Sequence, residues 1–271
     1  PAPLPGGEGS PVRAGSPRPA KRGEGLGVRV GVAVSIERKG IKLMVKLLDN
    51  FEKKKLTLIV SLPDNDIEFA KAAIAGGADA LKVHCNIQHK ASGVSFGSFA
   101  QEKTRFEQIL KIAKIPVGIV PGAQVKPTEA DMKEAVKMGF DYFDMNVDDI
   151  PAFMLGIKNI TKIAAVDGKQ SMDKVVHLKA SHIDGLEAAI VPHLGYGQNL
   201  TVGDLQYYIS LAISSALPVI VPTQRRIEPD EIPILADTGV KSVMIGAIVT
   251  GKTAASIEEA TRNFKEAIDQ L

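Results

Sequence analysis

From residue 56 onward, short runs rich in apolar and β-branched residues alternate with longer segments whose apolar positions recur at helical spacing. A half-buried strand and an amphipathic helix give these two periods, because side chains alternate along a strand and return every three to four residues on a helix. The runs predict eight strands, at 56–62, 78–84, 116–121, 141–146, 161–167, 185–192, 217–222 and 240–245. The segments between them carry helix boundaries. Pro63 and Asp64 stand before the first, Gly76 and Gly77 end it, Pro127 and Thr128 open the third and Gly139 closes it. Proline is pre-shaped for a helix start, and glycine tolerates the backbone turn at a helix end. A helical stretch from about Ile41 (IKLMVKLLDNF) leads into the first strand, and a last helix runs from about Ala254 to the end of the sequence. Eight strand-then-helix units in about 215 residues predict a (β/α)8 TIM barrel, with a doubly wound open sheet second because such sheets usually have fewer strands.

Composition changes the picture mainly at the start of the chain. Residues 1–27 are dominated by Pro, Gly, Ser, Arg and Glu, with Leu4, Val12 and Leu26 the only large apolar side chains. Such a segment cannot offset the entropy of ordering and is expected to be a disordered extension rather than a targeting signal. Residues 28–55 are read as a lead-in with a helix, and 56–271 as the barrel. The chain is 45% hydrophobic and 24% charged, as a soluble globular protein is, and no apolar run approaches a membrane span, so no membrane partner is expected. Formal net charge is +2, with much of the excess at Arg13, Arg18, Lys21, Arg22 and Arg29. The balanced remainder argues against nucleic acid as a partner of the folded part. The single cysteine, Cys85, has no internal disulfide partner, which fits a reducing cytoplasm. A homo-oligomer is left open.

Strand parity places the candidate chemistry. In ADALKVHC, Ala80, Lys82 and His84 share one face and Leu81, Val83 and Cys85 the other. The outer face of a barrel packs on helices and is apolar, so Lys82 and His84 are expected in the lumen at the C-terminal mouth, where barrel enzymes keep their sites. The same reasoning turns Tyr142, Asp144 and Asn146 inward on the fourth strand. Interior layers draw on alternate strands, so Lys82 and Asp144 are expected in the same or neighbouring layers. Asp167 ends the fifth strand and His193 follows Pro192 after the sixth; together with Lys82, His84 and Asp144 they form the candidate catalytic set. A desolvated lysine is pushed towards the neutral, imine-forming amine, whereas an adjacent carboxylate holds it as a cation able to stabilise an enolate. The bland alternative is a buried ion pair that plugs the barrel. Residues 85–101 form a long connection suited to a lid, or a passive insertion. HLGYGQN after the sixth strand brings Gly195, Tyr196 and Gly197 as candidate substrate contacts.

The last two units, PVIVPTQRRIEPDEIPILADTGVKSVMIGAIVTG, together with GGADALKVH, resemble the phosphate-binding barrels of the ribulose-phosphate-binding superfamily. That resemblance implies a phosphate held at the turns after strands seven and eight. Gly246 and Ala247 match the small-residue turn, while Thr223, Gln224, Arg225 and Arg226 replace the usual glycine pair and offer side-chain donors instead. Asn146 joins this binding set from strand four. The stretch 246–253, GAIVTGKT, also satisfies the nucleotide-binding P-loop pattern, but bulky Ile248 and Val249 sit where such loops prefer small residues. No metal constellation emerges and no cofactor is expected, with Mg carried by a substrate left open. The expected activity is proton transfer beside a carbonyl of a small phosphorylated metabolite, an isomerase or epimerase. The alternatives are a carbon–carbon lyase with Lys82 as Schiff-base lysine, and a non-catalytic phosphometabolite-binding protein.

Overall fold

In the computed structural model, which describes residues 46–271, eight parallel strands pair in sequence order and the eighth closes on the first. They are β1 Thr57–Ser61, β2 Ala80–His84, β3 Val117–Val120, β4 Tyr142–Asn146, β5 Thr161–Val166, β6 Gly185–Ala188, β7 Val219–Pro222 and β8 Ser242–Ile245. The helices are α1 Leu47–Lys53, α2 Ile67–Ala75, α3 Phe99–Ile112, α4 Glu129–Met138, α5 Met172–Val175, α6 Val202–Ser215, α7 Ile232–Asp237, α8 Ala247–Thr250 and α9 Ala254–Asp269. The predicted disordered extension at 1–27, the start of the lead-in and the helix start at Ile41 lie outside the described residues.

Two cores follow from the alternation of side chains. Outward-facing Leu58, Val60, Leu81, Val83, Phe143, Val166, Leu186, Val221 and Val243 pack with the helices in one cluster. Inward-facing Ile59, Ala80, Tyr142, Ile163, Ile220 and Met244 form a second with Leu47 and Phe51 of α1, which stops the N-terminal end of the barrel. The Leu47 N–H donates to the buried Asp141 carboxylate at 2.8 Å and pins that helix to the foot of β4. Gly118 of β3, beside Tyr142 in register, has no side chain because the Tyr142 ring occupies the space.

Pro63 and Asp64 precede α2 as expected; its cap is Asp66, whose carboxylate accepts from the Glu68 N–H at 2.8 Å, while Asp64 is drawn off to Arg105. Two features differ from expectation. Between β4 and β5 two 3-10 turns, Val147–Asp149 and Ala152–Gly156, stand in place of a helix, with Pro151 between them unable to donate to a continuing helix. β6 ends at Ala188 rather than 192, where the Ala189 N–H turns back to the Glu187 carbonyl.

Candidate active site

A cavity of about 340 Å³ opens at the C-terminal ends of the strands, large enough for a small metabolite. Its floor is ionic. The Lys82 ammonium donates to Asp144 Oδ2 at 2.9 Å and to Glu187 Oε2 at 2.8 Å, with side chains 6%, 1% and 11% exposed. β2, β4 and β6 supply the three groups, as a layer built from alternate strands requires, and Met244 of β8 lies beside them on the cavity wall.

Two carboxyl groups and one ammonium cannot all be charged at balance. Burial alone would lower the pKa of Lys82, but the attraction of Asp144 and Glu187 prevails and holds it above its ordinary value. Burial, then the neighbouring Glu187 charge, raises Asp144 well above the usual carboxylate range. For Glu187 the burial penalty is outweighed by Lys82, and its pKa falls. The consistent state is an ammonium facing a carboxyl pair that holds one proton, favoured on Asp144. Asp144 Oδ1 has no hydrogen-bond partner.

His84 stands above this floor at the end of β2. Its backbone is bracketed by Asn65, whose amide donates to the His84 carbonyl at 2.7 Å and accepts from its N–H at 3.1 Å. Asn65 also donates to Glu102 at 3.0 Å, and Glu102 accepts from the Gly97 N–H at 3.1 Å. One buried amide thus ties β2, α3 and the long connection together. In that connection Gln88 bridges Ser95, and residues 87–91 line the mouth. The His84 ring lies 4.5 Å from His89 and 4.9 Å from Phe96, centroid to centroid, with Ser61 Oγ 3.4 Å from Nε2 and Nδ1 unpartnered. Burial, then His89 and Lys82, keeps His84 well below the usual imidazole range, and burial and Lys82 pull His89 down to about 4.

Both imidazoles are therefore neutral in the fold, while the unfolded chain takes up their protons below about pH 6.5. A depressed pKa gives stability that is present above the unfolded value and lost as pH falls towards the folded one. His89 alone is expected to remove about 3 kcal/mol by pH 4. Urea unfolding at pH 7 and pH 4.5 should show a steeper loss in the wild type than in His89→Asn. Equal losses would show that His89 is not held neutral.

Lys82, His84, Asp144, Asn146, Thr223, Gln224 and Gly246 all line the cavity. Asp167, His193, Gly195, Gly197, Arg225 and Ala247 do not. Asp167 follows the last residue of β5, and its carboxylate accepts from the Lys169 N–H within its own turn. His193 is exposed in a 3-10 turn with its ring against Tyr196. The Gly195 and Gly197 amides are used by the Pro192 and Gln224 carbonyls. Arg225 grips Asp204 with two donors at 2.9 and 3.1 Å and reaches the Gly195 carbonyl, so it anchors a loop. Ala247 opens α8. The Gly246 N–H is itself taken by Thr223 Oγ1 at 3.0 Å. The P-loop look-alike has a helical turn at Ala247–Thr250, and its Lys252 donates to the Ser92 carbonyl.

Tyr196, expected against substrate, does line the cavity, and Glu187, Ser61, Asn65 and His89 complete the site beyond the sequence-derived set. Parity on GLEA turns Glu187 inward by the rule that found Lys82, so the signal was present. Cys85 is buried, which pushes its thiol up to about 12 and leaves it a poor nucleophile. Among the described residues no three His, Cys, Asp or Glu side chains gather as a metal site, and no helix is long and apolar enough to cross a membrane.

No protein-family model matches the chain, and no curated protein matches it. Solved structures do. KGPDC from Streptococcus mutans in complex with D-R5P is 14% identical with a TM-score of 0.60, over 80% of this chain and 99% of that one. Phosphoribosyl anthranilate isomerase from Thermus thermophilus is 12% identical with a TM-score of 0.56, over 78% and 99%. Tryptophan synthase from Mycobacterium tuberculosis is 13% identical with a TM-score of 0.63, over 81% and 96%. At these identities the similarity is one of fold.

Proposed function

We propose that this chain is a cytoplasmic enzyme acting on a small phosphorylated metabolite, a sugar phosphate, by moving a proton beside a carbonyl, as an isomerase or epimerase does. One observation carries the reading: a buried lysine kept charged by two carboxylates at the floor of a mouth-side cavity. An ammonium there stabilises the negative charge that grows on a carbonyl oxygen when the neighbouring carbon loses its proton. Asp144 and Glu187 share one proton between them, so one can give where the other receives. Neutral His84, whose buried Nδ1 has no partner, lines the same cavity. Thr223, whose hydroxyl proton is free because its oxygen accepts from Gly246, and Lys90 at the rim are donors for a phosphate. The solved barrels of similar fold, among them an isomerase of a phosphoribosyl compound, support a phosphorylated substrate. Both carboxylates weigh against an imine-forming Lys82, which needs the neutral amine.

The test is a panel of ketose and aldose phosphates incubated with the protein in D2O, followed by mass spectrometry for deuterium at carbon. Wild type should wash label into one of them, and Lys82→Met and Asp144→Asn should each lower that rate by about a hundredfold or more. Borohydride should trap no adduct on Lys82. Unchanged exchange in both variants would remove the reading, and a trapped adduct would replace it with the lyase.

A further inference from the structure

On the β6–β8 side of the cavity a short hydrogen-bond chain has a direction that its first member dictates. The Val191 N–H, which can only donate, faces one atom of the Gln224 amide at 2.9 Å, so that atom is the oxygen. The other end of the amide is then the NH2 group, and it lies 2.8 Å from the Tyr196 hydroxyl oxygen. An amide N–H only donates as well. Tyr196 therefore accepts from Gln224, and its own proton has to point elsewhere. Among the described residues its hydroxyl has no other hydrogen-bond partner, and Tyr196 lines the cavity. Thr223 repeats the pattern a few residues along, accepting from the Gly246 N–H and keeping its proton for the same space.

We propose that Tyr196 donates its phenolic proton to an oxygen of the molecule bound in the cavity, and that Gln224 is a positioning residue that turns the proton there. A ligand that fits has an acceptor oxygen within reach of the Tyr196 hydroxyl, as a hydroxylated carbonyl compound does. The proposal rests on the sugar-phosphate reading only for the identity of that oxygen. Burial raises the Tyr196 pKa above its ordinary value, outweighing the opposing contribution of Gln224, so the proton stays on oxygen at neutral pH.

The relay can be reversed with one atom. In Gln224→Glu a carboxylate accepts from the Val191 N–H with one oxygen and from the Tyr196 O–H with the other, so the tyrosine remains but its proton is captured. The chain has four tyrosines and no tryptophan, which makes ultraviolet Raman difference spectra against Tyr196→Phe readable. The Tyr196 ring doublet should report a hydroxyl that accepts from Gln224 while donating to solvent in the free wild type, and a donor-only hydroxyl in Gln224→Glu. On the sugar phosphate that wild type turns over, Tyr196→Phe and Gln224→Glu should each lower kcat/KM by about tenfold or more, and the double variant should be no worse than Tyr196→Phe alone. A donor-only doublet in the free wild type, or a Tyr196→Phe variant within twofold of wild type while Lys82→Met is inactive, overturns the proposal. The Raman arm needs no substrate, so a panel in which no sugar phosphate reacts sinks the isomerase reading and leaves Tyr196 to be judged by its spectrum.

Discussion

Lys82→Met is expected to lower the free energy of unfolding by about 3–5 kcal/mol at pH 7, the usual result of stripping a buried ion pair of one partner. The loss comes less from the missing attraction than from what stays behind. The carboxyl pair already shares one proton, and the negative charge left on it, deprived of its cation, has to be neutralised by a second proton or remain uncompensated in the interior. The penalty should therefore shrink as pH is lowered towards 5, and most of it should be recovered in Lys82→Met/Glu187→Gln, whose floor is uncharged. Urea unfolding of the two variants and wild type at both pH values measures this directly. A Lys82→Met variant within about 1 kcal/mol of wild type at pH 7 would mean that the three groups are solvated in solution and not a dry layer.

Gly118→Ala is expected to cost about 3 kcal/mol, the upper end for forcing extra volume into a packed interior. A Cβ there would stand 2.1 Å from the Tyr142 ring, and that ring has little room to retreat. It is fully buried, and its hydroxyl donates to the Leu81 carbonyl at 2.8 Å. The conflict is between two side chains, so it should vanish when one is trimmed: Gly118→Ala should be nearly neutral in a Tyr142→Ala background. A double-mutant cycle by denaturation reads the coupling. An additive pair would place the strain in the β3 backbone instead.

How much of this was legible in the sequence depended on whether a residue sat inside a strand. Within strands the two-residue period is enforced by the pleat, and one face must be apolar to meet the helices. Lys82, His84, Asp144 and Asn146 were therefore placed correctly in the lumen by counting. Glu187 obeys the same rule, yet it sits as a lone acid in a run, GLEAAIVP, whose apolar length disguised where the strand stops. Past a strand end parity loses its meaning, because the backbone turns. Asp167 and His193 stand one and five residues beyond β5 and β6, and local turns, not the barrel, decide where they point. Arg225 illustrates a different blindness. A cation after β7 is visible in the sequence, but its partner Asp204 lies 21 residues earlier on α6, and nothing in the spacing announces that the pair will close. The short β4–β5 connection was missed because strand-then-helix alternation elsewhere made a helix there the natural expectation, while Pro151 favours turns instead.

The α1 stopper has a consequence for traffic through the barrel. With Leu47 and Phe51 wedged among the lower interior side chains and the ionic floor above them, the chamber is a cul-de-sac. Whatever enters over the 87–91 rim has to leave by the same doorway, so a molecule lingering after reaction obstructs the next arrival, and departure competes directly with entry.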